Sequence, residues 1–280
     1  MGTPEFAIPT LEGLLRAYEV VGVVTQPDRR AGRGRHVTTS PVKELALAEG
    51  VPVFQPETFR REEPVAHLRA WEPDLGIVAA YGQILPQTVL DVPPLGLLNV
   101  HASLLPRWRG AAPIEGALLA GDDVTGVTIM KLDAGMDTGP ILAKRETRIR
   151  PNETAGELAN RLADLGADLL LEVLPAYIAG ELQPQPQPED GVTLTRPIRK
   201  EQARIDWDRA AEDLHNHVRA FAPEPGAYTF WDGRRLKIFR TQVVEPAEAP
   251  DGEPGTVVMV EDKPAVITGR GCLALLRIQI

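Results

Sequence analysis

The sequence predicts an α/β chain, with a mostly parallel sheet covered by helices followed by a smaller β-rich domain. Three observations lead there. Short apolar, β-branched runs alternate with helical segments over residues 1–182. A proline–glutamine repeat at 183–188 then breaks the pattern. Beyond it, several short strand-like runs are separated by Gly and Pro.

In chain order, the candidate strands of the first part are the runs at 20–25, 51–54, 75–81, 97–103, 126–132 and 141–149. The first five are apolar on both faces, which suits strands covered from both sides. Candidate helices fall at 9–18, 41–48, 62–71 and 113–120. A longer helix starts at Thr154, whose spacing to Glu157 makes a capping box. Leu158, Leu162, Leu165, Leu169 and Val173 form its apolar stripe. Alternating strands and helices imply a mostly parallel sheet, with ligands bound beyond the carboxyl ends of its strands. The run Gln183-Pro184-Gln185-Pro186-Gln187-Pro188 favours extended polyproline II and reads as a semi-rigid linker. After it, a helix at 210–221 precedes a hairpin, 228–231 and 235–244 joined by Asp232-Gly233. Further runs at 255–260, 265–268 and 273–280 complete a small barrel or sandwich. The domains are therefore placed at 1–182 and 200–280, with 183–199 as linker.

Composition narrows the class. The 280 residues carry 30 Lys+Arg against 39 Asp+Glu, a net charge of −9, which argues against a general nucleic-acid coat but not against local basic patches. No run approaches the ~18 apolar residues that span a bilayer. The N-terminus lacks the pattern of a signal peptide. Cys272 is the only cysteine, so neither an internal disulfide nor a cysteine-based metal site is expected, and the cytoplasm is the expected compartment. His36, His67, His215 and His217 lack metal-ligand spacing, so no metal is expected.

The densest chemical signal is Asn99-Val100-His101 at the carboxyl end of an apolar strand, where alternation puts both polar side chains on one face. A hydrogen-bonded pair ending the strand is one account; a reaction site is the other. A second cluster, Asp133-Ala134-Gly135-Met136-Asp137-Thr138-Gly139-Pro140, follows another apolar strand and is expected to reach over the same end of the sheet. Either acid there could instead close a local turn. An Asn, a His and an Asp converging on one crevice suit acyl transfer. The amide and imidazolium meet a developing oxyanion, and the carboxylate holds the histidine charged and helps remove a proton.

Asn-x-His followed by Ser103-Leu104-Leu105-Pro106 and Arg109-Gly110, then Asp133-x-Gly-x-Asp137-Thr-Gly-Pro, resembles the folate-dependent formyltransferases. That resemblance implies a Rossmann-like catalytic domain and a trio of Asn99, His101 and Asp137. It implies 10-formyltetrahydrofolate as co-substrate, bound along Ser103, Leu104, Leu105 and Pro106. The segment Tyr81-Gly82-Gln83-Ile84-Leu85 looks like the family's pterin-contacting loop, with Tyr81, Gly82, Ile84 and Leu85 as the contacts. The opening Gly2-Thr3-Pro4-Glu5-Phe6-Ala7, the stretch 25–35 and Ala203-Arg204-Ile205-Asp206-Trp207 are similar to the branch that formylates methionyl-tRNA. That branch implies an OB-like barrel as the second domain, initiator methionyl-tRNA as partner, and a monomer. Members of it begin with a strand before the Gly-Thr-Pro turn and continue past the equivalent of Ile280, so a first strand and a C-terminal segment are expected to be missing here. The other acceptor to weigh is a small amine, such as glycinamide ribonucleotide or an amino sugar nucleotide, which would need neither the basic stretch nor the second domain.

Residues 28–43 hold Arg29, Arg30, Arg33, Arg35 and Lys43 against Asp28, a local excess of four positive charges on a Gly-rich and hence mobile loop. By resemblance it reaches the acceptor end of the tRNA, with Arg29, Arg33 and Arg35 in contact. A second cluster, Arg234, Arg235, Lys237 and Arg240 on the hairpin, is suited to phosphates, though a solvated face is its ordinary fate.

Overall fold

The computed structural model describes residues 1–31, 36–245 and 250–280, with only the main chain described at 29–31 and 36–37. In chain order the elements are α1 (Ile8–Ala17), β1 (Val23–Val24), β2 (Arg29–Ala31), β3 (His36–Thr38), α2 (Pro41–Ala48), β4 (Val53–Phe54), α3 (Glu62–Arg69) and β5 (Gly76–Val78). Next come α4 (Gln87–Leu90), β6 (Leu97–His101), β7 (Arg109–Gly110), α5 (Pro113–Ala120), β8 (Val124–Lys131), β9 (Ile141–Arg148), α6 (Ala155–Ile178) and β10 (Leu194–Thr195). The last are α7 (Ala211–Ala220), β11 (Ala227–Trp231), β12 (Arg234–Val243), β13 (Val257–Val260), β14 (Lys263–Ile267) and β15 (Cys272–Gln279). Two compact units form, interleaved along the chain. One is Met1–Gly110, Gly126–Thr147 and Asn160–Leu194; the other is Ala111–Thr125, Arg148–Ala159 and Thr195–Ile280.

In the first unit, β1 pairs with β4 and β5 with β6, both parallel, and the second pair continues as the four-stranded sheet β5-β6-β8-β9. Local chemistry sets the helix ends. Ser40 caps α2 by accepting the Lys43 N–H at 3.1 Å, and Pro41 occupies the first turn, where its missing N–H costs nothing. The stripe on α6 is core, with Leu162, Leu170 and Leu174 all buried. One strand runs against expectation: β8 is antiparallel to β6, with Leu98 opposite Lys131 and His101 opposite Thr128. The 132–140 loop therefore leaves beside the amino end of β6, not the carboxyl end, and must fold back along the sheet to reach His101.

A slot remains between β1 and β5. Met1 and Gly2 bridge them: the Gly2 N–H donates to the Val24 carbonyl at 3.0 Å and the Met1 carbonyl accepts from Ala79 at 2.9 Å. Beyond Met1 the slot is an apolar cavity of about 690 Å³, lined by residues including Leu14, Val21, Trp71, Ile77, Leu97 and Leu174. The strand expected at 20–25 is accordingly only two residues long, because its far edge faces the cavity. The Met1 ammonium caps the cavity, donating to the Ile77 carbonyl at 2.6 Å, and burial pushes its pKa down to about 5.

In the second unit, a five-stranded antiparallel sheet in the order β11-β12-β15-β14-β13 packs on α7, with Leu214, Val218 and Phe221 against Ile238, Val266 and Leu273. Asp232 and Gly233, both at positive φ, make the expected tight turn. Thr154 and Glu157 form the expected capping box, with the Thr154 N–H donating to the Glu157 carboxylate at 2.9 Å. The small β domain expected here is thus a five-stranded antiparallel sheet that does not close. Among the described residues no ladder joins the short edge strands β11 and β13, of five and four residues.

Candidate active site

Strand β6 is buried along its whole length, so a polar side chain on it is desolvated unless a partner or a ligand meets it. Asn99 and His101 project from the same face. Among the described residues the Asn99 amide has no hydrogen-bond partner, although only 9% of the residue is exposed. An amide without a protein partner on an otherwise buried strand is open to a ligand.

His101 is flanked by two acceptors. Its Nε2–H donates to the Trp108 carbonyl at 3.1 Å, and its Nδ1 lies 3.7 Å from the Asp137 carboxylate. Two acceptors favour the cation, but the ring is buried and burial acts more strongly. Burial pushes the His101 pKa below its ordinary value, and Asp137 and the Trp108 carbonyl pull it back only in part. Burial thus works against the expectation that Asp137 holds the histidine charged, and favours the neutral imidazole.

Asp137 stands at φ +55°, a left-handed conformation rare outside Gly, and its Oδ2 accepts the Gly110 N–H at 2.8 Å. Asp133 takes the structural role open to either acid. Its Oδ1 accepts the Gly135 N–H at 3.0 Å and the Thr138 hydroxyl at 2.8 Å, closing the turn. The 103–106 turn is pinned from below. Thr128 donates to the Ser103 carbonyl and accepts from the Leu105 N–H, and the Lys144 ammonium donates to the Leu105 carbonyl.

The candidate folate residues divide by exposure. Tyr81, Ser103 and Leu105 are buried. Gly82 and Ile84 are exposed, and Leu85, Leu104 and Pro106 are half-buried. The 79–86 segment leaves β5 directly beside Asn99, since Val78 is paired with it.

Of the basic stretch, Arg33 and Arg35 lie outside the described residues. Arg29 sits in the hairpin β2–β3, opposite Thr38. Lys43 is paired with Asp28 at 2.5 Å, and together with Gln55 it holds that carboxyl below its usual range. In the second unit Arg240 is paired with Glu157, and Lys237 donates to the Pro225 carbonyl at 2.9 Å. Among the described residues, no group of three or more His, Cys, Asp or Glu side chains could hold a metal ion. No described helix is long and apolar enough to cross a membrane.

Sequence reasoning missed Gln187 and Thr193. The Gln187 amide donates to the Asp137 and Gly139 carbonyls at 2.7 and 2.8 Å and accepts from Arg109 Nε and Nη2 at 3.0 and 2.7 Å. Thr193 Oγ1 accepts the Trp108 N–H at 2.7 Å. The available signal was a polar residue at every second position of the proline repeat.

Comparison with known proteins fits this geometry. The formyl transferase profile matches residues 10–174 and the formyl transferase C-terminal domain profile residues 197–280. A methionyl-tRNA formyltransferase of Symbiobacterium thermophilum is 52% identical over 282 residues, covering 100% of this chain and 86% of that one. One from Chloroflexus aggregans is 50% identical, covering 100% and 91%. Among solved structures, an N-formyltransferase of Helicobacter canadensis in complex with folinic acid and dTDP-3-aminofucose superposes with a TM-score of 0.73 at 19% identity, covering 99% of this chain and 97% of that one. HypX of Aquifex aeolicus in complex with tetrahydrofolic acid gives 0.63 at 22% identity, covering 84% and 40%. Matched by both family profiles and by relatives over its whole length, this chain belongs to the formyl transferase family.

Proposed function

We propose that this chain transfers the formyl group of 10-formyltetrahydrofolate to the α-amino group of methionyl-tRNA, in the cytoplasm, for translation initiation. The observation that carries the reading is identity near 50% to methionyl-tRNA formyltransferases along the whole chain, the second unit included. The trio supplies the chemistry. Asn99 donates to the formyl oxygen as it becomes an oxyanion, and the neutral His101, backed by Asp137, takes the proton that the attacking amine gives up. Folate lies along 81–85 and 103–106. The tRNA is gripped by Arg29, Arg33 and Arg35, with Lys237 and Arg240 on the second domain. Residues 1–182 serve as the catalytic domain and 200–280 as the RNA-binding domain, in a monomer.

The test is formyl transfer to purified initiator methionyl-tRNA, with glycinamide ribonucleotide and an amino sugar nucleotide as rival acceptors. Transfer to the tRNA alone supports the reading; transfer to a small amine alone replaces it with the other acceptor class.

The histidine's state sets a pH dependence. A proton acceptor must be neutral, so turnover at saturating substrates falls on acidification with a midpoint below ~6.5, the ordinary histidine value. Asp137 raises that midpoint, so Asp137→Asn lowers it further while also lowering the plateau. The substrate amine adds its own limb to both proteins, and the difference between the profiles removes it. Turnover that rises on acidification excludes His101 as the acceptor.

A further inference from the structure

We infer that the segment from Gln185 to Thr193 is a clamp on His101, in which Gln187 and Thr193 are positioning residues that fix the two acceptors flanking the imidazole. The inference rests on the catalytic reading of Asn99, His101 and Asp137.

Both acceptors belong to residues in an unfavourable backbone conformation. Asp137 is at φ +55° and Trp108 at φ +62°, and neither is glycine, so something must hold each of them there. The same segment holds both. Thr193 Oγ1 accepts the Trp108 N–H at 2.7 Å, and the next N–H, that of Arg109, donates to the Thr193 carbonyl at 2.9 Å. The Trp108 carbonyl is thereby turned to His101 Nε2. Gln187 holds the other side. Its NH₂ donates to the carbonyls of Asp137 and Gly139, and its oxygen accepts twice from Arg109. Those four bonds match the two donors and two lone pairs of a primary amide. Arg109 adjoins Gly110, whose N–H holds the Asp137 carboxylate, so the contacts close a ring: Gln187, Asp137, Gly110, Arg109 and back to Gln187.

The segment is itself fixed. Gln185 exchanges both main-chain hydrogen bonds with Ile141 at 2.7 Å, at the point where the 132–140 loop rejoins the sheet. Prolines at 184, 186 and 188 stiffen the chain between that anchor and Gln187. The repeat also carries an internal control. Among the described residues, the side chains of Gln183 and Gln185 donate to local carbonyls, of Gly180 and Gln183, so sequence-equivalent glutamines differ in role.

The test compares Gln187→Ala, Gln187→Glu, Thr193→Val and Gln183→Ala in the whole protein. It measures kcat and KM for both substrates, the melting temperature, and the titration of His101 by NMR. Gln187→Ala is expected to lower kcat by up to about 10²-fold with both KM values unchanged, as misplacement of a reacting group does. The groups facing the ring are the Asp137 carboxylate and the Trp108 carbonyl, and both raise its pKa against burial. Losing either aim therefore moves the His101 titration to lower pH in Gln187→Ala and in Thr193→Val. Gln187→Glu keeps the acceptor for Arg109 but loses the NH₂ donors, so it is expected to match the alanine variant. Gln183→Ala is expected to match the parent.

Three results overturn the inference: wild-type kcat in Gln187→Ala, wild-type behaviour of Gln187→Glu, or a loss of kcat and melting temperature with the His101 titration unmoved, which marks a structural strut only. The titration is read without substrate. Absence of formyl transfer in the parent protein would thus count against the functional reading, while the clamp stays testable.

Discussion

Replacing Asn99 by alanine is expected to lower formyl-transfer turnover by about 10²–10³-fold, the loss measured when one oxyanion donor is removed from an acyl-transfer site. The expectation follows from an asymmetry on β6. His101 already spends its Nε2–H on the Trp108 carbonyl, whereas the Asn99 amide has no partner among the described residues. A donor left unpaired beside a buried imidazole is poised for charge that exists only during the reaction, so its removal affects kcat more than KM. Stability should hardly move, since the substitution removes no side-chain hydrogen bond among the described residues. Asn99→Asp separates hydrogen bonding from shape. It keeps the volume but puts negative charge where the oxyanion develops, and should fall below the alanine variant. Single-turnover assays with saturating 10-formyltetrahydrofolate, paired with melting curves, read both quantities. Wild-type turnover in a folded Asn99→Ala protein would remove Asn99 from the mechanism.

Much of this site was legible because its signals are local. Asn99 and His101 are two residues apart on an apolar strand, and period-two alternation suffices to put them on one face. The capping box at Thr154 and the turn at Asp232-Gly233 are likewise written in adjacent residues. The direction of β8 was not legible, because an apolar strand reads the same whether its neighbour is parallel or antiparallel. Nor was the function of the proline repeat. Alternating Pro and Gln forces an extended chain, but an extended chain serves equally as a tether or as a docked strap. Only the pairing of Gln185 with Ile141, between residues 44 apart in sequence, decides between them. The balance of forces on His101 was hidden for a related reason: a carboxylate can be inferred from sequence spacing, but the burial working against it cannot.

The slot beside β1 yields the second large effect, on stability. The Met1 amine titrates near 5 in the folded protein against about 8 when free. The folded state therefore binds fewer protons between those values, and stability rises with pH across that window and is flat beyond it on either side. At about 1.4 kcal/mol for each pH unit the whole window approaches ~4 kcal/mol, a large part of the ~5–15 kcal/mol that holds most domains. His101, His215 and His217 are also pushed down by burial and add stability of the same sign, but only below the ordinary histidine value. The rise between about 6.5 and 8 is thus the amine's own signature. Acetylating Met1 should abolish that rise and leave the histidine part in place. Extending the chain ahead of Met1 by several apolar β-branched residues should do more. It removes the charge, offers main-chain partners to the facing edges of β1 and β5, and fills apolar space of about 690 Å³. Melting temperatures of the free, acetylated and extended proteins from pH 5 to 9 measure all three effects. A free-amine protein whose stability is level from 6.5 to 8 would show that the ammonium reaches water, and an extension that lowers the melting temperature would show that the slot does not accept a strand.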